Sequence, residues 1–159
     1  MSDAFSIKDS KLQRFAEAVQ MSYEKHPFHN FYHGFSVMQV AYVILRDTSA
    51  SEYLTALDTL AVITAALCHD LAHPGVSNDY LINTSSPLAL VYNDVSVLEN
   101  HHARTTFELL QDPENNILSE LSPEDYVQVR RVMISGILHT DMRHHIGSCE
   151  RLRQVADKV

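Results

Sequence analysis

His69 and Asp70 stand side by side in the run CHDLAHPG, with His73 one turn further on, and His29 and His33 form an earlier pair. Imidazole nitrogen and carboxylate oxygen suit a borderline or hard divalent cation, and the second oxygen of a carboxylate can bridge to another cation. Both histidine pairs have the spacing i, i+4, so each pair is predicted to share one face of a helix. Ten histidines in 159 residues is a high count, and taken singly most of them are expected to be ordinary core or surface residues. Two such faces meeting around one aspartate propose a binuclear hydrolytic centre.

Other polar groups have two readings each. Ser96-Val97-Leu98-Glu99 fits a capping box, in which the glutamate folds back onto the cap amide. His102 follows Glu99 by one turn, and a carboxylate beside a histidine is also a usual pairing around metal-bound water. Asp94 and Asp141 are expected to be caps or solvated charges. His144 and His145, near the end of a helix whose dipole favours cations, are expected at the surface.

The elements that would position these groups all read as helix. Ser10 is placed to cap a first helix bearing Leu12, Phe15, Ala16, Val19 and Tyr23, which Pro27 ends. A second is predicted from His29 to Leu45, with Phe35, Met38, Tyr42 and Leu45 on its inner side. A third, from about Ser51, carries Leu54, Leu57, Ala61, Thr64, Leu67 and Cys68 and ends before Pro74-Gly75. Ser86-Pro87 opens a short helix to Tyr92, Ser96 to Leu110 forms another, and Ser122-Pro123 starts a long one toward His144. Asp112 to Ser122 is predicted as a surface loop. No alternating strand pattern, repeat or linker is evident, so residues 1–159 are expected to form one all-α domain.

Composition narrows the partners. A net charge of -8 and a pI near 5.6 leave no basic stripe for nucleic acid or an anionic membrane. Arg130, Arg131, Arg151 and Arg153 are scattered and read as solvated faces. An acidic protein that handles an anionic substrate needs bound cations to offset repulsion. Cys68 lies in an apolar run far from Cys149, the setting of a buried reduced thiol. The N-terminal residues lack the pattern of a signal peptide, and no apolar run is long enough to span a bilayer, so a cytoplasmic location is expected.

The strings HNFYH, HDLAHPG, YNDVSVLENHH and ILHTDM, in that order, resemble the signature segments of the class I 3′,5′-cyclic-nucleotide phosphodiesterases. The resemblance runs from about Pro27 to His144 and looks closest to the cGMP-specific high-affinity branch. It implies a compact multi-helix bundle of the HD-domain type, hydrolysing cAMP, cGMP or both to 5′-monophosphates in signal transduction.

Carried over position by position, the resemblance implies that His29 is the general acid. His33, His69 and Asp70 would be metal ligands, and His73, Glu99, His102 and Thr140 would orient water nearby. It further implies two divalent cations, zinc with magnesium or manganese. Ala72, His139 and Phe28 depart from the family's common residues. The chain matches the first half of the family's catalytic domain; a later aspartate ligand and the glutamine and apolar clamp that grip the purine lie beyond it. The alternatives are a non-catalytic truncated form that binds metal weakly or pairs with a full-length enzyme, and a divergent HD-type nucleotide phosphohydrolase; in any of these readings, faces meant for the other half are expected to leave an apolar patch that favours association.

Overall fold

The computed structural model describes residues 5–156, with Ser51 described by its backbone alone. The described residues form nine α-helices and no strand, the all-α class the sequence predicts. They are α1 (Asp9–Ser22), α2 (Phe31–Asp47), α3 (Ala50–Tyr53), α4 (Ala56–Cys68), α5 (Asn78–Asn83), α6 (Pro87–Val91), α7 (Val97–Leu109), α8 (Pro123–Leu138) and α9 (His145–Ala156). A 3-10 turn, Met142–His144, precedes α9.

The most apolar of these, α4, sits at the centre between α2 and α8. Leu60, Ala61, Thr64, Ala65, Leu67 and Cys68 are buried along it. Phe15, Val19 and Tyr23 close the core from one side, and Val129, Met133 and Ile137 of α8 close it from the other. A smaller cluster of Leu81, Ala89, Val97 and Leu98 docks α5 and α6 against the start of α7. None of the described helices is long and apolar enough to cross a membrane.

Several boundaries differ from the sequence reading, each for a local reason. The first helix begins at Asp9 after Lys8, so Ser10 lies inside it and is not its cap. The second begins at Phe31 because Asn30 caps it, accepting hydrogen bonds from the Tyr32 and His33 amides at 2.9 and 3.3 Å. Its buried side is Gly34 and Leu45, with Met38 half-buried, whereas Phe35 and Tyr42 are exposed. The third segment is two helices, because Thr55 and Asp58 form a reciprocal capping box that restarts the chain at Ala56. The long helix from Pro123 stops at Leu138, where the Thr140 hydroxyl donates to the Ile137 carbonyl at 2.7 Å. The loop after α7 is not wholly superficial. Ile117 and Leu118 turn inward and are buried in the core.

At Gly34 two elements approach α2 closely. The Tyr23 hydroxyl donates to the Leu67 carbonyl at 2.8 Å, passing directly over Gly34. A Cβ on residue 34 would lie 3.0 Å from that carbonyl oxygen and closer still to the Tyr23 hydroxyl. Gly34→Ala is therefore expected to cost about 1–3 kcal/mol by overpacking, read as a lower midpoint in urea denaturation. An unchanged midpoint would show that Tyr23 can move aside freely.

Candidate metal centre

Two helix ends and the middle of α7 deliver the polar groups to one place. His33 projects from the first turn of α2, and His69 is the residue that closes α4. Asp70 and His73 lie in the turn beyond α4, so neither histidine pair shares a helix face as predicted: each straddles a helix terminus. That turn contains Ala72 at φ 55°, with its amide donating to the Ser22 carbonyl at 2.9 Å. Short polar side chains tolerate the left-handed region better than alanine, which pays about 1–2 kcal/mol there.

Asp70 is the hub and is 8 % exposed. Its Oδ2 lies 3.4 Å from His33 Nε2 and 3.4 Å from His69 Nε2. Its Oδ1 lies 3.7 Å from Nε2 of His102, a residue of α7 that is 1 % exposed. The donor atoms form two groups that share this carboxylate, His33–His69–Asp70 and Asp70–His73–His102.

The ring nitrogens discriminate between these histidines. His69 Nδ1 lies 2.9 Å from the Ala66 carbonyl, and His102 Nδ1 lies 2.7 Å from the Leu71 carbonyl. A carbonyl oxygen only accepts, so both Nδ1 atoms carry the proton and a neutral ring turns an Nε2 lone pair toward Asp70. His73 is reversed. Its Nδ1 accepts the Gly75 amide at 2.9 Å, which leaves a neutral ring with N–H at Nε2, suited to donating to a water but not to ligating there.

Burial, with the neighbouring His69 as the next cause, holds the His33 imidazole below its ordinary range. Burial also pushes His102 down to about 3. Lone pairs facing a carboxylate, without protons to relieve them, are the donor set that a cation stabilises. The residues therefore fit a divalent ion on either side of Asp70.

His29 completes the cleft. Its ring stacks on His73 with centroids 3.9 Å apart and 5° between planes, and it lines a cavity of about 470 Å³. His73, Asn78, Asp79, Glu99, Thr140, Asp141 and Arg143 are among the other residues around that cavity. The expected capping box at Ser96 is absent. Ser96 has φ 41° and makes no cap bond; its hydroxyl donates to Asp141 Oδ2 at 2.8 Å. Glu99 instead accepts from Asn78 Nδ2 at 2.9 Å. Burial raises the Glu99 carboxyl above its ordinary range, opposed by that hydrogen bond.

Asp94 is exposed in its turn, and His144 and His145 are exposed, as the sequence suggests. Asp141 is not a solvated charge: it is 5 % exposed. Asn78 and Arg143 carry no sequence signal, and the signal of Ser96 points to a cap instead, since only the folded chain brings Asn78 to Glu99, Ser96 to Asp141, and Arg143 to Asp79 at 3.3 Å.

A consequence can be measured without metal. Burial, followed by the nearby His29, holds His73 down at about 4, and His102 is at about 3, against an ordinary 6.5. Below pH 6.5 the unfolded chain therefore binds protons that the folded chain refuses, and stability falls as pH drops toward 4. In chelator, the melting temperature is expected to decline between pH 7 and pH 5, with a shallower decline in His102→Gln. Equal slopes for the two proteins would remove His102 from this account.

The chain matches the family described as 3′5′-cyclic nucleotide phosphodiesterase over residues 28–159. It is 45% identical over 144 residues to the 3′,5′-cyclic-nucleotide phosphodiesterase regA of Dictyostelium discoideum, covering 90% of this chain and 18% of that protein. It is also 45% identical over 141 residues to the human high affinity cGMP-specific 3′,5′-cyclic phosphodiesterase 9A, covering 89% of this chain and 24% of that protein. The crystal structure of the phosphodiesterase domain of the RhoPDE fusion protein from the choanoflagellate Salpingoeca rosetta superposes with a TM-score of 0.94 at 40% identity. That match covers 97% of this chain and 48% of the solved one, so the chain spans about half of that domain.

Proposed function

Because the chain belongs to the 3′,5′-cyclic nucleotide phosphodiesterase family, we propose that it forms the N-terminal part, residues 1–159, of a catalytic domain hydrolysing cAMP, cGMP or both. The observation that carries this reading is Asp70, whose two carboxylate oxygens each face the Nε2 of a buried or half-buried histidine.

His33, His69 and Asp70 would hold one cation, taken to be zinc, and Asp70 would offer its other oxygen to a second, taken to be magnesium or manganese. Bound there, the two cations would neutralise phosphoryl charge and lower the pKa of a water to supply a nucleophile near neutral pH. The remaining work belongs to the protein's side chains. His73 donates through Nε2, and Glu99 and Thr140 accept, so that water in the cleft is held in one orientation. His29 is placed on the open side of His73, where it would protonate the departing 3′ oxygen, which is otherwise a poor leaving group.

Both regA and the 9A enzyme stand at 45% identity, and the lining of this cleft supports phosphate recognition more than a choice of purine. The reading therefore keeps both cyclic nucleotides: the name of regA says only cyclic nucleotide, and that of the 9A enzyme says cGMP. A signalling role in the cytoplasm is part of it, and the buried free thiol of Cys68 fits a reducing compartment. A divergent HD-type phosphohydrolase is disfavoured, since the match extends through YNDVSVLENHH to residue 159. A non-catalytic truncated form is the remaining alternative.

The test joins this chain in frame to the second half of the Salpingoeca rosetta domain and supplies cAMP and cGMP in ¹⁸O-labelled water. Release of 5′-monophosphate with one labelled phosphoryl oxygen, abolished by chelation, is the expected result. No turnover from a folded, metal-loaded protein would sink the reading.

A further inference from the structure

We infer that Asp141 is a positioning residue: by engaging Ser96 it keeps a latent capping box from forming and so holds Glu99 in the cleft. This rests on the two-cation reading above, in which Glu99 orders water beside the second ion.

Both oxygens of the buried Asp141 carboxylate are taken by protein donors. Oδ2 accepts the Ser96 hydroxyl at 2.8 Å and Oδ1 accepts the Arg143 amide at 2.9 Å. That engagement suits an anchor more than a metal ligand. Its partner, Ser96, is held at φ 41°, ψ 52°, and it follows Asn93 and Asp94, also left-handed at φ 52° and 62°. Left-handed backbone costs of order 1–3 kcal/mol at a non-glycine residue and persists only where its surroundings impose it.

Ser96-Val97-Leu98-Glu99 has the S-x-x-E pattern that ordinarily closes on itself, with the serine hydroxyl accepting the glutamate amide and the glutamate carboxylate accepting the serine amide. Here neither bond forms. The serine hydroxyl points to Asp141, and Glu99 turns to Asn78, which also accepts the Leu98 amide at 2.8 Å. Two arrangements of one tetrapeptide thus compete. In the relaxed arrangement Ser96 leaves the left-handed region and Glu99 folds back toward the cap, away from His73 and the cleft. Asp141 selects the strained one, and in doing so it ties the start of α7 to the residue after Thr140.

The test is a Mn²⁺ titration of the purified chain by calorimetry and electron paramagnetic resonance, with ¹³C shifts of Ser96 reporting its backbone. The wild type is expected to bind two ions that share Asp70 and give a spin-coupled signal. Asp141→Ala is expected to weaken the second ion about 10- to 100-fold, the usual effect of losing an outer partner. It should leave the first within about twofold and move Ser96 to extended shifts. Asp141→Asn should restore the second ion: the amide oxygen still accepts from Arg143, and the Ser96 hydroxyl can reverse to accept the amide N–H.

Asp141→Ser keeps an oxygen for the Arg143 amide but is too short to hold Ser96, whose hydroxyl is then free to close the box; it should weaken the second ion in the same direction, which keeps the test informative if Asp141→Ala fails to fold. Three results would overturn the inference: Asn as damaging as Ala, which would mean that the charge acts directly; unchanged second-ion binding in Asp141→Ser; or Ser96 shifts that stay left-handed in Asp141→Ala. A wild-type chain that binds one ion or none would overturn the two-cation reading itself, and the inference with it.

Discussion

Asp70→Ala is expected to strip the protein of both cations, with affinity falling at least about 100-fold at each site, whereas His29→Ala keeps its metal and loses turnover. Asp70 is the one group common to both donor sets, so its removal leaves the lone pairs of His33 and His69 on one side, and of His102 on the other, without the anion that makes a cation favourable there. His69→Ala removes one ligand of the first set only, and should spare second-ion binding relative to Asp70→Ala. His29 belongs to neither set and touches the cleft by stacking on His73. Losing a general acid typically costs 10²–10⁴-fold in rate. Elemental analysis of the three variants, with turnover measured in the joined catalytic domain, separates the roles. Equal metal loss in all three would make His29 a ligand.

The parts of this site legible in the sequence are those fixed by covalent adjacency. His69 next to Asp70 declares a metal-type pair at any backbone conformation, and the apolar stripe of α4 dictates that the pair emerges at the end of a buried helix. What the sequence could not fix is how the chain leaves its helices. The i, i+4 spacing of His29 and His33 suggested a shared face, yet Asn30 between them caps α2 and puts His29 outside it. The inner side of α2 is legible only in part: Met38 and Leu45 face inward as expected, while Phe35 and Tyr42 are exposed and Gly34 takes an inner place, because Tyr23 needs the room that glycine leaves.

Ser96 is the plainest case of tertiary context overriding a local pattern. Its motif is a genuine cap signature, and a buried aspartate 45 positions away redirects it. The tautomers are equally invisible in sequence, since only the carbonyls of Ala66 and Leu71 and the amide of Gly75 decide which ring nitrogen is free.

The isolated 159-residue polypeptide is expected to hydrolyse cyclic nucleotides at least about 100-fold more slowly than the same chain joined to the second half of the Salpingoeca rosetta domain. The cleft presents phosphate-directed groups, but the apolar residues lining it are Val76, Leu98 and Met142, with no Phe, Tyr or Trp against which a purine could stack. Without that grip the scissile phosphate is not held in line with the attacking water, and misplacement by about 1 Å alone can cost 10²-fold.

The same polypeptide exposes apolar surface next to the metal centre. Val40, Val43 and Ile44 of α2 are 59 %, 45 % and 50 % exposed, and a groove of about 540 Å³ between α2, α4 and α8 reaches His69. Exposed apolar surface of this kind favours association, so the isolated chain should bind a hydrophobic dye and elute as larger species, and joining the second half should suppress both. Side-by-side turnover, dye fluorescence and gel filtration of the two proteins test this. Comparable turnover would mean that the residues described here already orient the nucleotide, and an unchanged dye signal would mean that the second half does not pack on α2 and α8.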